Sequence, residues 1–312
     1  MIRIGTRSSA LARWQTDEVL RLWRLLSPGL EFEVVELSTA GDEQPEAPLE
    51  LMEGIGFFTS TIERALLEHR IEVAVHSYKD LPVTTTTGLV VAAVPARGPV
   101  EDVLCSRDHT ALVALPRGAR VGTSSLRRTA QLRASRPDLE YLPLRGNVGT
   151  RLSRLRWGDL DAVVLARAGL ERLGLGDRAT EVFSIERMLT APAQGALAIQ
   201  VREDDELLRR ALAGIEHEPT RRAVEAERSV LHALRGGCSV PVGAFAQAND
   251  ARVCVDAGVF APAGDRPLRV QVEGVDPAAT GAEAARRLLE DGAWEILAEL
   301  ERQPRLQWER GA

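Results

Sequence analysis

Apolar positions in the first third of the chain follow two rhythms in turn. Residues 2–5 read as a short strand, and behind Ser8 or Ser9 as a cap, Leu11, Trp14, Leu22 and Leu25 recur at helical spacing. The segments 31–37, 73–77 and 89–94 read as strands, 59–68 as a helix, and 39–56 as a loop rich in glycine, proline and acids. Two prolines and a glycine in 95–102 mark a hinge, after which the pattern restarts: strands at 120–122, 140–144 and 162–166, helices at 126–135, 148–156 and 168–173. A further strand at 196–201 precedes a helix at 204–213. Strand–helix alternation of this kind builds parallel sheets with helices on both faces. The tail differs, with a long amphipathic helix over 221–234, alternating strands at 253–260 and 268–273, and helices at 277–289 and 294–302, an α+β pattern.

Composition narrows the class. At 312 residues the chain has room for two or three domains, and its net charge of −6 argues against general binding to nucleic acid. No apolar run approaches the roughly 20 residues of a membrane span. The start, Met1 to Arg7, lacks the pattern of a signal peptide, so a cytoplasmic protein is expected. The three cysteines, Cys105, Cys238 and Cys254, are odd in number and without metal-ligand spacing, which leaves neither a disulfide framework nor a metal site expected. Among 39 basic residues Lys79 is the sole lysine, which singles out a place where an ammonium is kept despite a strong arginine bias.

The candidate chemistry gathers at strand-to-helix junctions, where open parallel sheets bind ligands. Lys79 and Asp80 follow the strand at 73–77 in Val75-His76-Ser77-Tyr78-Lys79-Asp80-Leu81-Pro82. Beside a cation the carboxylate stays ionised and is able to stabilise positive charge in a reacting ligand; a surface ion pair is the bland alternative. Gly122-Thr123-Ser124-Ser125-Leu126-Arg127-Arg128 puts two arginines and three hydroxyls at a helix start, a carboxylate or phosphate receptor unless Ser125 merely caps the helix and the arginines face water. Leu144-Arg145-Gly146-Asn147-Val148-Gly149-Thr150-Arg151 repeats the theme without the lysine of a nucleotide-binding loop. Arg7, with Ser9 and Gln15 nearby, and Arg172 follow other strands. Together they indicate a ligand with several carboxylates.

Gly236-Gly237-Cys238-Ser239-Val240-Pro241-Val242-Gly243 sets a cysteine in a tight loop after a helix, a candidate nucleophile or attachment point. Cys105 and Cys254, within apolar strands, are expected to be buried and inert. On the residues alone two other readings stay open: a binding protein or sensor for a small polyanion, and a Schiff-base enzyme acting through Lys79.

These segments, with Ile4-Gly5-Thr6-Arg7-Ser8-Ser9, resemble the hydroxymethylbilane synthase (porphobilinogen deaminase) family in order and over nearly the whole chain. The resemblance implies two periplasmic-binding-protein-like doubly wound α/β domains plus a small α+β C-terminal domain: 1–95 with 196–216, 101–190, and 217–312. It implies a monomer that polymerises porphobilinogen on a dipyrromethane cofactor joined to Cys238 by a thioether, with no metal. Asp80 takes the place of the catalytic carboxylate. Lys79, Thr123, Ser125, Arg127 and Arg128 take those of cofactor-binding groups, and Arg7, Ser9, Gln15, Arg145, Arg151, Arg172 and Gln194 those of substrate-binding groups. The chain departs from the family at Leu51 and Ile55, where lysines are usual, so the loop around Gly56 and Phe58 is expected to act as a lid by covering rather than by charge.

Overall fold

A computed structural model describes residues 1–38, 60–234, 240–249 and 251–302. The chain opens with β1 (Ile2–Thr6), α1 (Ala10–Leu26), β2 (Phe32–Glu36), α2 (Ser60–Leu67), β3 (Val73–Ser77) and β4 (Leu89–Ala93). It continues with β5 (Asp102–Ser106), β6 (Arg120–Gly122), α3 (Leu126–Ser135), β7 (Glu140–Leu142), α4 (Val148–Trp157), β8 (Ala162–Ala166), α5 (Arg167–Arg172) and β9 (Glu181–Val182). Then come β10 (Leu197–Arg202), α6 (Glu206–Leu212), α7 (Glu218–Ala233), β11 (Val242–Ala248), β12 (Val253–Phe260), β13 (Pro267–Gly274), α8 (Pro277–Glu290) and α9 (Ala293–Arg302).

Two five-stranded sheets share one plan. The first runs β2-β1-β3-β10-β4 and the second β7-β6-β8-β5-β9. In each, the first three strands are parallel and the fourth, β10 or β5, is antiparallel to both neighbours. The connections β4 to β5 and β9 to β10 carry the chain from one sheet to the other and back. Side-chain alternation on β3 shows why helices cover both faces: Val73 and Val75 pack with Val19, Leu20 and Trp23 of α1, whereas Ala74 packs with Ile62, Ala65 and Leu66 of α2. The second sheet is covered in the same way by Leu132 of α3 on one face and by Leu152 of α4 and Leu170 of α5 on the other.

The third sheet is an antiparallel meander, β11-β12-β13, with α7, α8 and α9 packed on one face through Val230, Ala284, Leu288 and Ile296. Strand β11 is absent from the sequence reading because Gly243 and the small residues around it give little β signal; there a Cβ would come within 3.0 Å of Leu189. Cys254 corrects an expectation. It is exposed, because at its position β12 turns its side chain to the face that the helices leave uncovered, while Val253 and Val255 point into the core. Cys105 is buried as expected, and burial pushes its thiol up to about 12. Among the described residues no helix is long and apolar enough to cross a membrane.

Candidate active site

The two-sheet plan brings the chemistry to one rim. Parallel strands end where Arg7, Lys79–Asp80, Thr123–Ser125, Arg145 and α5 begin. The antiparallel strands start at that same rim. Leu197 pairs with Ser77 and Asp102 pairs with Ala166, so Gln194 and Asp102 arrive beside the carboxyl ends of β3 and β8. The two crossings touch: Gly98 donates to the Gly195 carbonyl at 3.1 Å, and a Cβ on Gly195, which has φ +86°, would lie 2.6 Å from the Pro99 oxygen. Glycine is required at that contact on both counts.

Asp102 is the hub. Fully buried, it receives Arg128 Nε (3.0 Å) and Nη2 (2.7 Å) on Oδ1 and lies 2.8 Å from Arg127 Nη1 through Oδ2. Gln194 Nε2 donates to the same Oδ1 at 2.9 Å, and Gln194 Oε1 accepts from Lys79 Nζ at 3.3 Å. Burial alone would raise the Asp102 carboxyl; Arg127 and Arg128 outweigh it and hold the group far below the usual carboxylate range. Asp102→Asn leaves two guanidiniums, 3% and 7% exposed, facing a neutral amide. The expected cost is about 3–5 kcal/mol of unfolding free energy, read by denaturant titration, and a loss under 1 kcal/mol would refute it.

The surroundings carry surplus positive charge. Lys79 is pushed down to about 8, chiefly by burial, with Asp80 opposing and Arg128 and Arg127 adding to the fall. Arg151 is pushed down to about 10 by burial and then by Arg128, against the pull of Asp80. These couplings tie together groups from both sheets, because Arg151 on α4 feels Asp80 on the turn after β3. Asp80 itself is exposed, on a single 3-10 turn over Tyr78–Asp80. Arg7, Ser9, Gln15, His76, Ser77 and Asp80 line one cleft.

Ser9 caps α1 by accepting from Ala12 N, and Gln15, buried, donates to Ser77 Oγ at 2.7 Å. Ser125 caps α3, Thr123 Oγ1 accepts from Ser125 N at 3.2 Å, and Ser124 Oγ bridges the Leu144 amide and carbonyl. Arg127 and Arg128 do not face water. They turn inward to Asp102, and they also donate to the carbonyls of Leu189 and Val164. Arg151 Nε donates to Gly146 O at 2.7 Å, and Arg145 is half-buried at the same junction. Arg172 donates to Gly195 O at 2.6 Å and lies 5.6 Å from the Trp14 ring, set between α1 and the crossing. It is pushed down to about 10 by burial, against Glu18. Cys238 lies outside the described residues, as do Leu51, Ile55, Gly56 and Phe58.

Asp102 carries no mark in the sequence beyond closing the hinge segment; only the antiparallel sense of β5 brings it to the rim. Glu227 is likewise unmarked. Fully buried on α7, it holds Arg97 Nη1 (2.6 Å) and Nη2 (2.9 Å) and accepts from the Ala193 and Ala246 amides, which ties both crossings to the third sheet. Behind the cleft wall that His76 helps to form, a buried chain links His76 to Gln200 Oε1 (3.1 Å) and Gln200 Nε2 to Glu63 (2.9 Å). Burial pushes His76 down to about 4, so it is a neutral structural histidine at ordinary pH.

Residues 2–210 match the family model described as porphobilinogen deaminase, dipyromethane cofactor binding domain, and residues 221–290 match the one described as porphobilinogen deaminase, C-terminal domain. A porphobilinogen deaminase of Desulforudis audaxviator is 48% identical over 297 residues, covering 95% of this chain and 96% of the relative. One of Xanthomonas campestris is 45% identical over 302 residues, covering 96% and 99%. Among solved structures, a nutrient binding protein from Burkholderia cenocepacia bound to methionine aligns with 69% of this chain and 91% of its own, at a TM-score of 0.42 and 15% identity.

Proposed function

The chain belongs to the porphobilinogen deaminase family, and from that premise we propose how its own groups divide the work. It is a hydroxymethylbilane synthase, a transferase that joins four porphobilinogen molecules head to tail with loss of ammonia and releases the linear tetrapyrrole by hydrolysis. Its cofactor is dipyrromethane, which supplies the nucleophilic pyrrole carbon on which the chain grows. The thioether to Cys238 belongs to the proposal.

The donor set fits such a group. A dipyrrole bearing acetate and propionate arms needs several fixed cations, and Asp102 neutralises only part of the charge of Arg127, Arg128, Arg151 and Lys79. Burial and mutual repulsion depress Lys79 and Arg151, and bound carboxylates relieve both. In our reading Lys79, Thr123, Ser125, Arg127 and Arg128 hold the cofactor. Arg7, Ser9, Gln15, Arg145, Arg151, Arg172 and Gln194 hold incoming substrate and growing chain.

Asp80 is the catalytic carboxylate. When the aminomethyl group of porphobilinogen leaves as ammonia, the pyrrole becomes cationic, and a rim of guanidiniums repels that cation. Asp80, exposed in the cleft beside Lys79, is the counter-charge at the place where it forms. The same carboxylate holds and moves the proton at the pyrrole nitrogen. The single observation that carries this reading is one exposed carboxylate set on a cationic rim shared by two sheets.

Division into 1–95 with 196–216, 101–190 and 217–312, a monomeric state and a cytoplasmic location complete the proposal. Three separate sheets support the division. The test is incubation with porphobilinogen while ammonia and linear tetrapyrrole are measured. One ammonia per porphobilinogen consumed is expected; tight binding without ammonia release would instead make the protein a polyanion binder.

A further inference from the structure

One arginine that the reaction scheme leaves unused grips the catalytic turn from behind. Arg228, on α7, donates through Nη1 to the carbonyls of Tyr78 (3.4 Å) and Leu81 (3.2 Å) and through Nη2 to those of Pro82 and Val83 (3.3 Å). Its guanidinium carbon lies 4.7 Å from the centroid of the Tyr78 ring. One planar fork thus spans the backbone on both sides of Lys79 and Asp80.

The turn's own backbone bonds are few: Tyr78 N to Ala196 O at 3.0 Å, and Leu81 N to Tyr78 O at 3.2 Å. The same helix ends at Ala233, five residues before Cys238 in the sequence. We infer that Arg228 is a positioning residue that fixes the Asp80 turn against α7, the helix that precedes the cofactor cysteine in the sequence. The inference rests on the reading of Asp80 as catalytic carboxylate and Cys238 as attachment point.

The chemistry requires arginine. Carbonyl oxygens bonded to a charged donor gain more than from a neutral one, and only a guanidinium offers several donors in a fixed plane while stacking on an aromatic face. Lysine would keep a cation near the ring and lose the fork. The effect on turnover comes through distance, since a shift of about 1 Å in a reacting group costs on the order of a hundredfold in rate.

The experiment uses the cofactor-loaded enzyme and four variants: Arg228→Met, Arg228→Lys, Arg222→Gln and Asp80→Asn. Arg222 serves as control because it sits on the same helix and donates to the Val275 carbonyl, away from the turn. In Arg228→Met, kcat is expected to fall about tenfold to a hundredfold with KM changed less than about twofold and cofactor loading by intact mass retained. Arg228→Lys should recover part of kcat, and it carries the test alone if the methionine variant does not fold. Arg222→Gln should match wild type in kcat. Wild-type kcat in Arg228→Met beside an inactive Asp80→Asn would overturn the inference and leave the Asp80 reading intact. An active Asp80→Asn would remove that reading and, with it, anything for Arg228 to position. Equal losses in the Arg222 and Arg228 variants, following their thermal midpoints, would reduce Arg228 to a structural contact.

Discussion

Asp80→Asn is expected to fold normally and to lose turnover by about a thousandfold. The side chain is exposed on a short turn, so an isosteric amide there should change unfolding free energy by less than about 0.5 kcal/mol. What it removes is a full negative charge. Around that position stand Lys79, Arg128 and Arg151, and Asp80 does more than any other neighbour to hold Lys79 in its charged form. A cationic pyrrole forming in the substituted cleft meets uncompensated positive charge. The loss should therefore fall on kcat, with KM close to wild type, because the carboxylate arms of the substrate are bound by arginines that the substitution leaves in place. A second consequence has a definite sign. Without Asp80 the Lys79 ammonium should release its proton at a lower pH than in the wild type, since the largest favourable interaction opposing its burial is gone. Steady-state kinetics together with titration of the Lys79 amine reads both. Turnover within about tenfold of wild type would take Asp80 out of the chemistry.

Much of the rim was legible in the sequence, for a physical reason. Parallel strands place their carboxyl ends on one edge, so residues just after apolar strand segments are gathered whatever the order of the strands. Lys79, Asp80, Ser125, Arg151 and Arg172 each follow such a strand segment. The antiparallel strands break the rule. Their amino ends reach the rim, and a carboxylate at the first position of β5 is indistinguishable in sequence from a residue closing a hinge. Asp102 was invisible for that reason, and the buried state of Arg127 and Arg128 with it: the helix-start pattern predicted cations waiting for an anion, and the chain already supplies one. Helix α7 hides its residues differently. Glu227 and Arg228 are adjacent members of an amphipathic pattern rich in charge, and only the packing of that helix against both crossings and the Asp80 turn separates them from solvated neighbours such as Glu225. Cys254 failed through an over-reading of alternation. The face of β12 opposite α7, α8 and α9 is covered only in part: Phe260 is buried there with Ala130 and Leu189, whereas Cys254, at the other end of the same face, lies beyond that contact.

Cys238→Ser is expected to abolish both the covalent cofactor and all turnover. Three cysteines compete as attachment points, and the fold discriminates among them. Cys105 is buried in β5 with its thiol pushed up to about 12, so it offers neither access nor thiolate. Cys254 is exposed, and is therefore the serious rival. It lies in the middle strand of the third sheet, paired across to Gln247 and Glu273, and it has no place in the rim described above. Cys238 falls in the glycine-flanked connection between α7 and β11, directly after the helix whose Arg228 reaches the Asp80 turn. Intact mass decides the matter. Wild type should exceed its sequence mass by two porphobilinogen units less two ammonia molecules, Cys254→Ser should carry the same adduct, and Cys238→Ser should sit at its sequence mass even after incubation with porphobilinogen. A serine hydroxyl, far less ionised than a thiol, leaves the primer without an anchor, so no rate should remain to be rescued by added substrate. An adduct that persists in Cys238→Ser and vanishes in Cys254→Ser would move the site to the open face of the third sheet, and the Asp80 turn would then need a different partner.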